Sequence, residues 1–330
     1  MLSMINNQTT FGIEIETQVP ANVQMPIGSH GNGLNIRTAV VNGSTITAPK
    51  FNGEMWKADC DPSIHTLNNY VKCEFVSPVL KGDAGLQHIL EFLSFLKAIG
   101  AKRPIRTMGQ TQGGIHVTIH AGSACGSSSP AQILDWCEKL MRLGNRLSPV
   151  LFGQNAERRD RSTWCALHQV NYLDQEIKNA KQYGTLNLNI GKYAMINFTK
   201  LRSTGCIEFR CFSTTLNPTK IMLIILSVLA ICQEATTENL PKWASQNRLR
   251  TAQASVMFDK WWRFGGRRHV TQQFATFRRL RRLMFNWGFA SCAWFDRIRS
   301  VRVADETEET REAVQLMTTP AFQTHTRGSV

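Results

Sequence analysis

Short segments of this chain alternate apolar residues with charged ones at a period of two, which constrains its fold more than any other feature. In Phe11-Gly-Ile-Glu-Ile-Glu-Thr17, Phe11, Ile13 and Ile15 point one way, and Glu14 and Glu16 the other. Val71-Lys-Cys-Glu-Phe-Val76 repeats the pattern with Glu74 opposite Cys73 and Phe75, and Ser77-Pro78 ends it. Gly113-Gly-Ile-His-Val-Thr-Ile-His120 sets His116 opposite Ile115 and Val117. Tyr193–Thr199 and Cys206–Phe212 add two strands, with Asn197 opposite Ile196 and Phe198, and Glu208 and Arg210 opposite Ile207 and Phe209. Asn42-Gly43 predicts a hairpin turn between Val40 and Ile46. Helices are predicted from an Asp83 cap to about Ile99, with Gly100 as the stop, and from Ser129-Pro130 to about Leu147. Two more are predicted, around Leu173–Gln182 and from Asn217-Pro218 to about Glu238. This order does not fit regular βαβ winding. An antiparallel sheet with helices on one side, an α+β fold, is expected.

If those strands share one sheet, its polar face carries Glu14, Glu16, Glu74, Glu208, His116, Asn197 and Arg210. A solvated face is the ordinary state of an antiparallel sheet. Solvated faces mix Thr, Lys and Ser, however, whereas carboxylates dominate here. Glu14 and Glu16 lie about 6.5–7 Å apart at two residues of strand rise. Crowded carboxylates repel, and a divalent cation is the usual remedy. Mg²⁺ or Mn²⁺ takes oxygen ligands with an occasional imidazole. Gly113 and Gly114 let backbone approach a ligand beside His116.

The chain is 330 residues long, enough for one large or two ordinary domains. Its nine cysteines include no CxxC pair, which argues against a disulfide framework or a zinc ribbon and for reduced thiols. The start, MLSMINNQTTFG, has no basic-then-apolar pattern. The longest apolar run, Ile221–Cys232, falls short of the roughly 20 residues needed to span a bilayer. No transmembrane segment and a cytoplasmic location are therefore expected. The net charge of +14 is uneven. Residues 241–300 hold 13 Lys/Arg against Asp259 and Asp296, so a boundary is placed near Leu240-Pro241. Three regions follow: a catalytic domain over 1–240, a basic aromatic-rich helical appendage over 241–303, and a flexible tail over 304–330.

Five motifs stand in an order that resembles the amidoligase family of glutamine-synthetase-like carboxylate–amine ligases. They are Phe11-Gly-Ile-Glu-Ile-Glu, Trp56…Asp61-Pro-Ser63, Glu74-Phe-Val-Ser-Pro-Val-Leu80, Gly113-Gly-Ile-His-Val117 and Cys206-Ile-Glu-Phe-Arg-Cys-Phe-Ser-Thr-Thr-Leu-Asn217. The resemblance covers roughly residues 10–235. It implies a curved antiparallel sheet with flanking helices, ATP and two or more Mg²⁺ (or Mn²⁺) ions. By that likeness Glu14, His116 and Glu208 hold the metal at the ATP phosphates, and Glu16 and Glu74 hold the metal nearer the acyl substrate. Arg210 contacts the transferring phosphoryl group. Gly114, Asn197, His116 and Arg210 line the nucleotide side. Asp61 is the candidate base near the amine, although Asp59 and Asp61 equally suit a turn beside Pro62. Two features depart from the family pattern. Thr118 stands where a second His is common, and no third carboxylate is found for the second metal. Arg158, Arg159, Arg161, Lys192 and Arg202 are further candidates for phosphate contacts, or solvated loop charge.

The chemistry suits these residue types. Attack of a carboxylate on the γ-phosphate of ATP gives an acyl phosphate, which an amine then displaces to form an amide or peptide bond. The barrier is largely charge repulsion, so cations and an Arg contribute most. A phosphotransferase on the same sheet is the enzymatic alternative. A nucleic-acid-binding protein with a degenerate ligase core is the other. That alternative rests on Trp261-Trp-Arg-Phe-Gly-Gly-Arg-Arg-His269 and Phe277-Arg-Arg-Leu-Arg-Arg-Leu-Met-Phe285, where aromatics interleave with arginines. The same segment suits an acidic partner, a membrane surface, or a helix with its arginines in water. A site between subunits, and so a homo-oligomer, is left open, as is the identity of the carboxylate and amine substrates.

Overall fold

A computed structural model describes residues 8–104, 106–107, 110–111, 113–153, 170–188 and 191–240. Arg158, Arg159, Arg161, the basic segment 241–303 and the tail 304–330 lie outside the described residues. The fold is mixed α and β, with a large antiparallel sheet and flanking helices, as the alternating segments predict. Contacts divide the chain into two compact units.

The first unit comprises Thr10–Val117 and Ser213–Leu223. It holds β1 (Thr10–Pro20), β2 (Leu34–Asn35), β3 (Thr38–Val41), β4 (Ser44–Thr47), β5 (Lys50–Phe51), β6 (Glu54–Met55) and β7 (Lys57–Asp59). β8 (Tyr70–Val76), β9 (Leu80–Lys81), α1 (Gly82–Ala98), β10 (Arg106–Thr107), β11 (Gln110–Thr111) and the first half of β12 (Gly114–His120) complete it. β1 pairs with β8, β8 with β7 and β7 with β2, all antiparallel, and β9 pairs with β1. The predicted hairpin is β3–β4, with Asn42 and Gly43 both at positive φ.

α1 covers the apolar face of these strands. Its Phe92 stacks on Trp56 at 3.6 Å between centroids and meets Phe75 of β8 edge-on at 5.4 Å. The Trp56 indole donates to His88 Nε2 at 3.0 Å, so a ring with a polar edge is buried without an orphan donor. Burial holds the His88 pKa below its usual value, although Glu91 pulls the other way. Gly100, at φ +74°, ends the helix as predicted. The N-terminus corrects the sequence reading. Lys81 occupies the cap position without a side-chain capping bond, and Asp83 sits within the first turn, where its charge suits the helix dipole.

The second unit centres on Thr118–Phe212 and the chain from Ile224. It contains the rest of β12, then α2 (Ala121–Cys125), α3 (Pro130–Gly153), α4 (Val170–Gln182), β13 (Ile196–Asn197), α5 (Leu201–Thr204), β14 (Cys206–Ser213) and most of α6 (Pro218–Glu234). The strand order of the large sheet is β13-β14-β12-β1-β8-β7-β2, with β9 on β1. α3 continues six residues past the expected end at Leu147. Pro149 cannot donate to the Asn145 carbonyl, and the Ser148 hydroxyl donates to it instead, at 2.8 Å. α6 ends earlier than expected, at Glu234, because Thr236 and Thr237 turn their hydroxyls onto the Gln233 and Glu234 carbonyls. Of the strand expected over Tyr193–Thr199, Ile196–Asn197 forms; Asn197 Oδ1 then accepts the Thr199 amide and turns the chain away. Among the described residues no helix is long and apolar enough to cross a membrane.

Candidate metal centre

The first unit assembles the acidic face from strand register. On β1, Phe11, Ile13 and Ile15 are buried against the core, which commits Glu14 and Glu16 to the other side. Glu16 lies directly opposite Glu74 across β1 and β8, and Glu74 directly opposite Asp59 across β8 and β7. Directly opposed residues share a face, with Cβ atoms about 4.5–5.5 Å apart. Glu16, Glu74 and Asp59 therefore form a row of carboxylates over three adjacent strands. Asp61 follows in the turn beside Pro62, where its Oδ1 accepts the Ser63 amide at 2.7 Å. That bond orients the side chain.

β12 brings the imidazole. His116 is 3% exposed; its Nδ1 is 3.1 Å from Glu14 Oε2 and its Nε2 is 3.5 Å from Glu16 Oε1. The Gly114 amide donates to Glu16 Oε2 at 2.6 Å. Behind this pair, the Thr214 hydroxyl lies 2.7 Å from the Glu16 carbonyl and 2.9 Å from that of Gly114. A Cβ on Gly113 would come within 2.8 Å of Pro104 Cγ and 3.0 Å of Thr214 Oγ1, so any side chain there would have to displace a neighbour.

Two three-residue groups result. Glu14, Glu74 and His116 bring one ligand atom each to within 4.8 Å of one another, and so do Glu16, Asp61 and Glu74. Glu74 belongs to both. The crowding shows in its acidity. Burial first, and then the charges of Glu14, Glu16, Asp59 and Asp61, push its carboxyl from 4.5 up to about 9. The donor set of carboxylate oxygens and one imidazole is that of a hard divalent cation such as Mg²⁺ or Mn²⁺. A further observation fits a cation here. Asp59 Oδ1 is buried with no hydrogen-bond partner among the described residues, whereas buried carboxylates ordinarily find donors.

Glu208, Asn197 and Arg210 lie in the second unit and form their own constellation. Asn197 is directly opposite Glu208 across β13 and β14 and donates to its Oε2 at 2.9 Å; Arg210 Nη1 donates to Glu208 Oε1 at 2.6 Å. Neither three-residue group includes Glu208. Lys192 lies exposed over the Tyr193 ring, and Arg202 is exposed on α5. The residue the sequence reading undervalued is Asp59. It ends a strand, not a turn, and its spacing of two from Asp61 was the available signal.

Compared with known proteins, the chain matches no family model and no curated protein sequence.

Proposed function

We propose that this chain is an ATP- and Mg²⁺-dependent carboxylate–amine ligase that works through an acyl phosphate. The observation that carries the proposal is Glu74, common to a Glu14–His116 group and a Glu16–Asp61 group on one sheet face. Two adjoining oxygen-rich groups sharing a carboxylate suit a reaction that must gather a polyphosphate and a second anion in one place. The order of the five motifs supports the same reading.

In this reading Glu14, Glu74 and His116 hold one divalent ion, and Glu16, Asp61 and Glu74 hold a second. Asp61 thus supplies the third carboxylate that the resemblance lacked, and its role as base gives way to that of ligand. Ions held there would neutralise phosphate charge and lower the repulsion between the phosphates and an attacking carboxylate. The Gly114 amide and His116 ring keep Glu16 and Glu14 from rotating away. Arg210, which the resemblance assigns to the phosphoryl group, is oriented within its own unit by its bond to Glu208.

The test is release of phosphate and ADP from ATP, screened against amino acids, polyamines and peptides. A ligase forms ADP only when a carboxylate and an amine are both present, and yields an amide. A stable phosphorylated product would reassign the chain as a phosphotransferase. Salt-sensitive binding to nucleic acid without turnover would reject the enzyme altogether.

A further inference from the structure

Asp59 stands in the acidic row but belongs to neither three-residue group. It is 5% exposed. Its Oδ2 accepts the Gly31 amide at 3.1 Å, while Oδ1 has no partner among the described residues. The loop bearing Gly31 is laced to β7 on both sides of Asp59: Gly28 donates to the Ala58 carbonyl and accepts from the Cys60 amide. The loop is tightly folded, since a Cβ on Gly28 would come 1.9 Å from the Asn32 carbonyl oxygen.

A buried carboxylate oxygen without a donor costs as much as a lost charged hydrogen bond, unless something supplies the donor. Charge decides what that donor is. Asp59 faces Glu74 directly, and Glu14, Glu16 and Asp61 are Glu74's other acidic neighbours, so the missing group must carry positive charge or be polarised by it. Asp59 falls outside the atoms close enough to share one ion directly. Mg²⁺ is octahedral and keeps several of its waters, so three protein ligands leave positions for water. A water polarised by the ion is a strong donor and small enough for a buried site.

We propose that Asp59 is a positioning residue for the ion held by Glu16, Asp61 and Glu74. Its Oδ1 accepts an O–H from a water on that ion while Oδ2 keeps the Gly31 amide. One carboxylate thereby couples the ion to loop 28–33. The inference rests on the metal centre proposed above, but not on the reaction assigned to it.

The experiment titrates Mn²⁺ and Mg²⁺, without nucleotide, into the wild type and Asp59→Asn. The asparagine keeps an oxygen for Gly31 and turns an NH₂ toward the ion. We expect two ions in the wild type and, in the variant, a loss of about tenfold or more in affinity for one of them, as for other residues that support ligands indirectly. The other ion should stay within about twofold, and the cation-free thermal midpoint should be unchanged or higher. Two ions bound equally well by a folded Asp59→Asn overturn the proposal and leave the metal centre standing. A wild type that binds neither ion overturns both. Hydrogen exchange at the Gly31 amide of the wild type gives a reading independent of the variant's folding. Mg²⁺ should slow it, and unchanged exchange in the ion-bound protein overturns the coupling. Turnover enters neither readout, so failure of the ligase reading is told apart from failure of this one.

Discussion

Glu16 and Glu74 face each other directly across two neighbouring antiparallel strands, an arrangement that repels unless a proton or a cation intervenes. Both remedies are available. Glu74 takes up a proton in the cation-free protein, and each three-residue group offers a place for an ion.

Replacing Glu74 with Gln should therefore separate stability from ion binding. At neutral pH the wild type must protonate Glu74 to fold, whereas Gln is neutral without a proton, so the cation-free variant should unfold at a midpoint roughly 5 °C above the wild type, about 2 kcal/mol for a chain of this size. The same change takes a ligand from both groups. Mg²⁺, which should raise the wild-type midpoint, should leave that of the variant unmoved. Differential scanning calorimetry with and without Mg²⁺ reads both effects.

Acidity gives a second prediction. The Glu74 pKa is about 9 in the fold, against 4.5 as its ordinary value. Between those values the folded protein holds a proton that the unfolded chain has released. This contribution to stability is complete below about pH 4.5 and drains away as the pH rises toward 9. Cation-free protein should lose stability from pH 5 to pH 9, and Glu74→Gln should flatten that slope. Ion binding displaces the proton, so Mg²⁺ affinity should rise by up to about tenfold per pH unit between pH 6 and 8. Calorimetric titration in buffers of different ionisation enthalpy counts the released proton, and a count of zero contradicts the assignment.

Gly113→Ala should be costly although the residue touches no ligand. The added methyl would press on Pro104 and on the Thr214 hydroxyl, displacing the link between Glu16 and Gly114. A loss of about 1–3 kcal/mol is expected for overpacking at such a site. Urea unfolding measures it. A neutral result would mean that the Pro104 side yields.

If the ligase reading holds, Glu14→Gln and Glu208→Gln should each lower turnover by about 10²–10³-fold, the scale of losing one preorganised charge contact. They should differ otherwise. Glu14→Gln should weaken ion binding, whereas Glu208→Gln should leave it intact and loosen the hold on Arg210. Wild-type rates in both variants would reject the site.

Much of this was written in the side-chain alternation. Phe11, Ile13 and Ile15 commit β1 to one orientation, and that orientation alone fixes where Glu14 and Glu16 must go. Asn42-Gly43 and Gly100 were equally legible, because few other residues tolerate their backbone angles. Asp59 was obscure because β7 has three residues, too few to show a period, and its meaning comes from pairing with β8. Glu208 shows a different limit. Alternation placed it on a polar face with Arg210, but only the fold reveals that Arg210 donates to Glu208. The Lys81 start of α1 and the passage of α3 through Pro149 depend on bonds between particular atoms, which no pattern of residue types encodes.

The Thr214 hydroxyl reaches back 198 positions to the Glu16 carbonyl. During synthesis, every acidic residue of the row, and His116 with them, leaves the ribosome well before the residue that fastens the back of the site. The centre must therefore mature late, after the chain has closed one of its longest loops, and until then its acidic strands are held only by their neighbours. A nascent polypeptide arrested short of residue 214 would carry all six acidic and imidazole side chains of the site without the clasp that holds them.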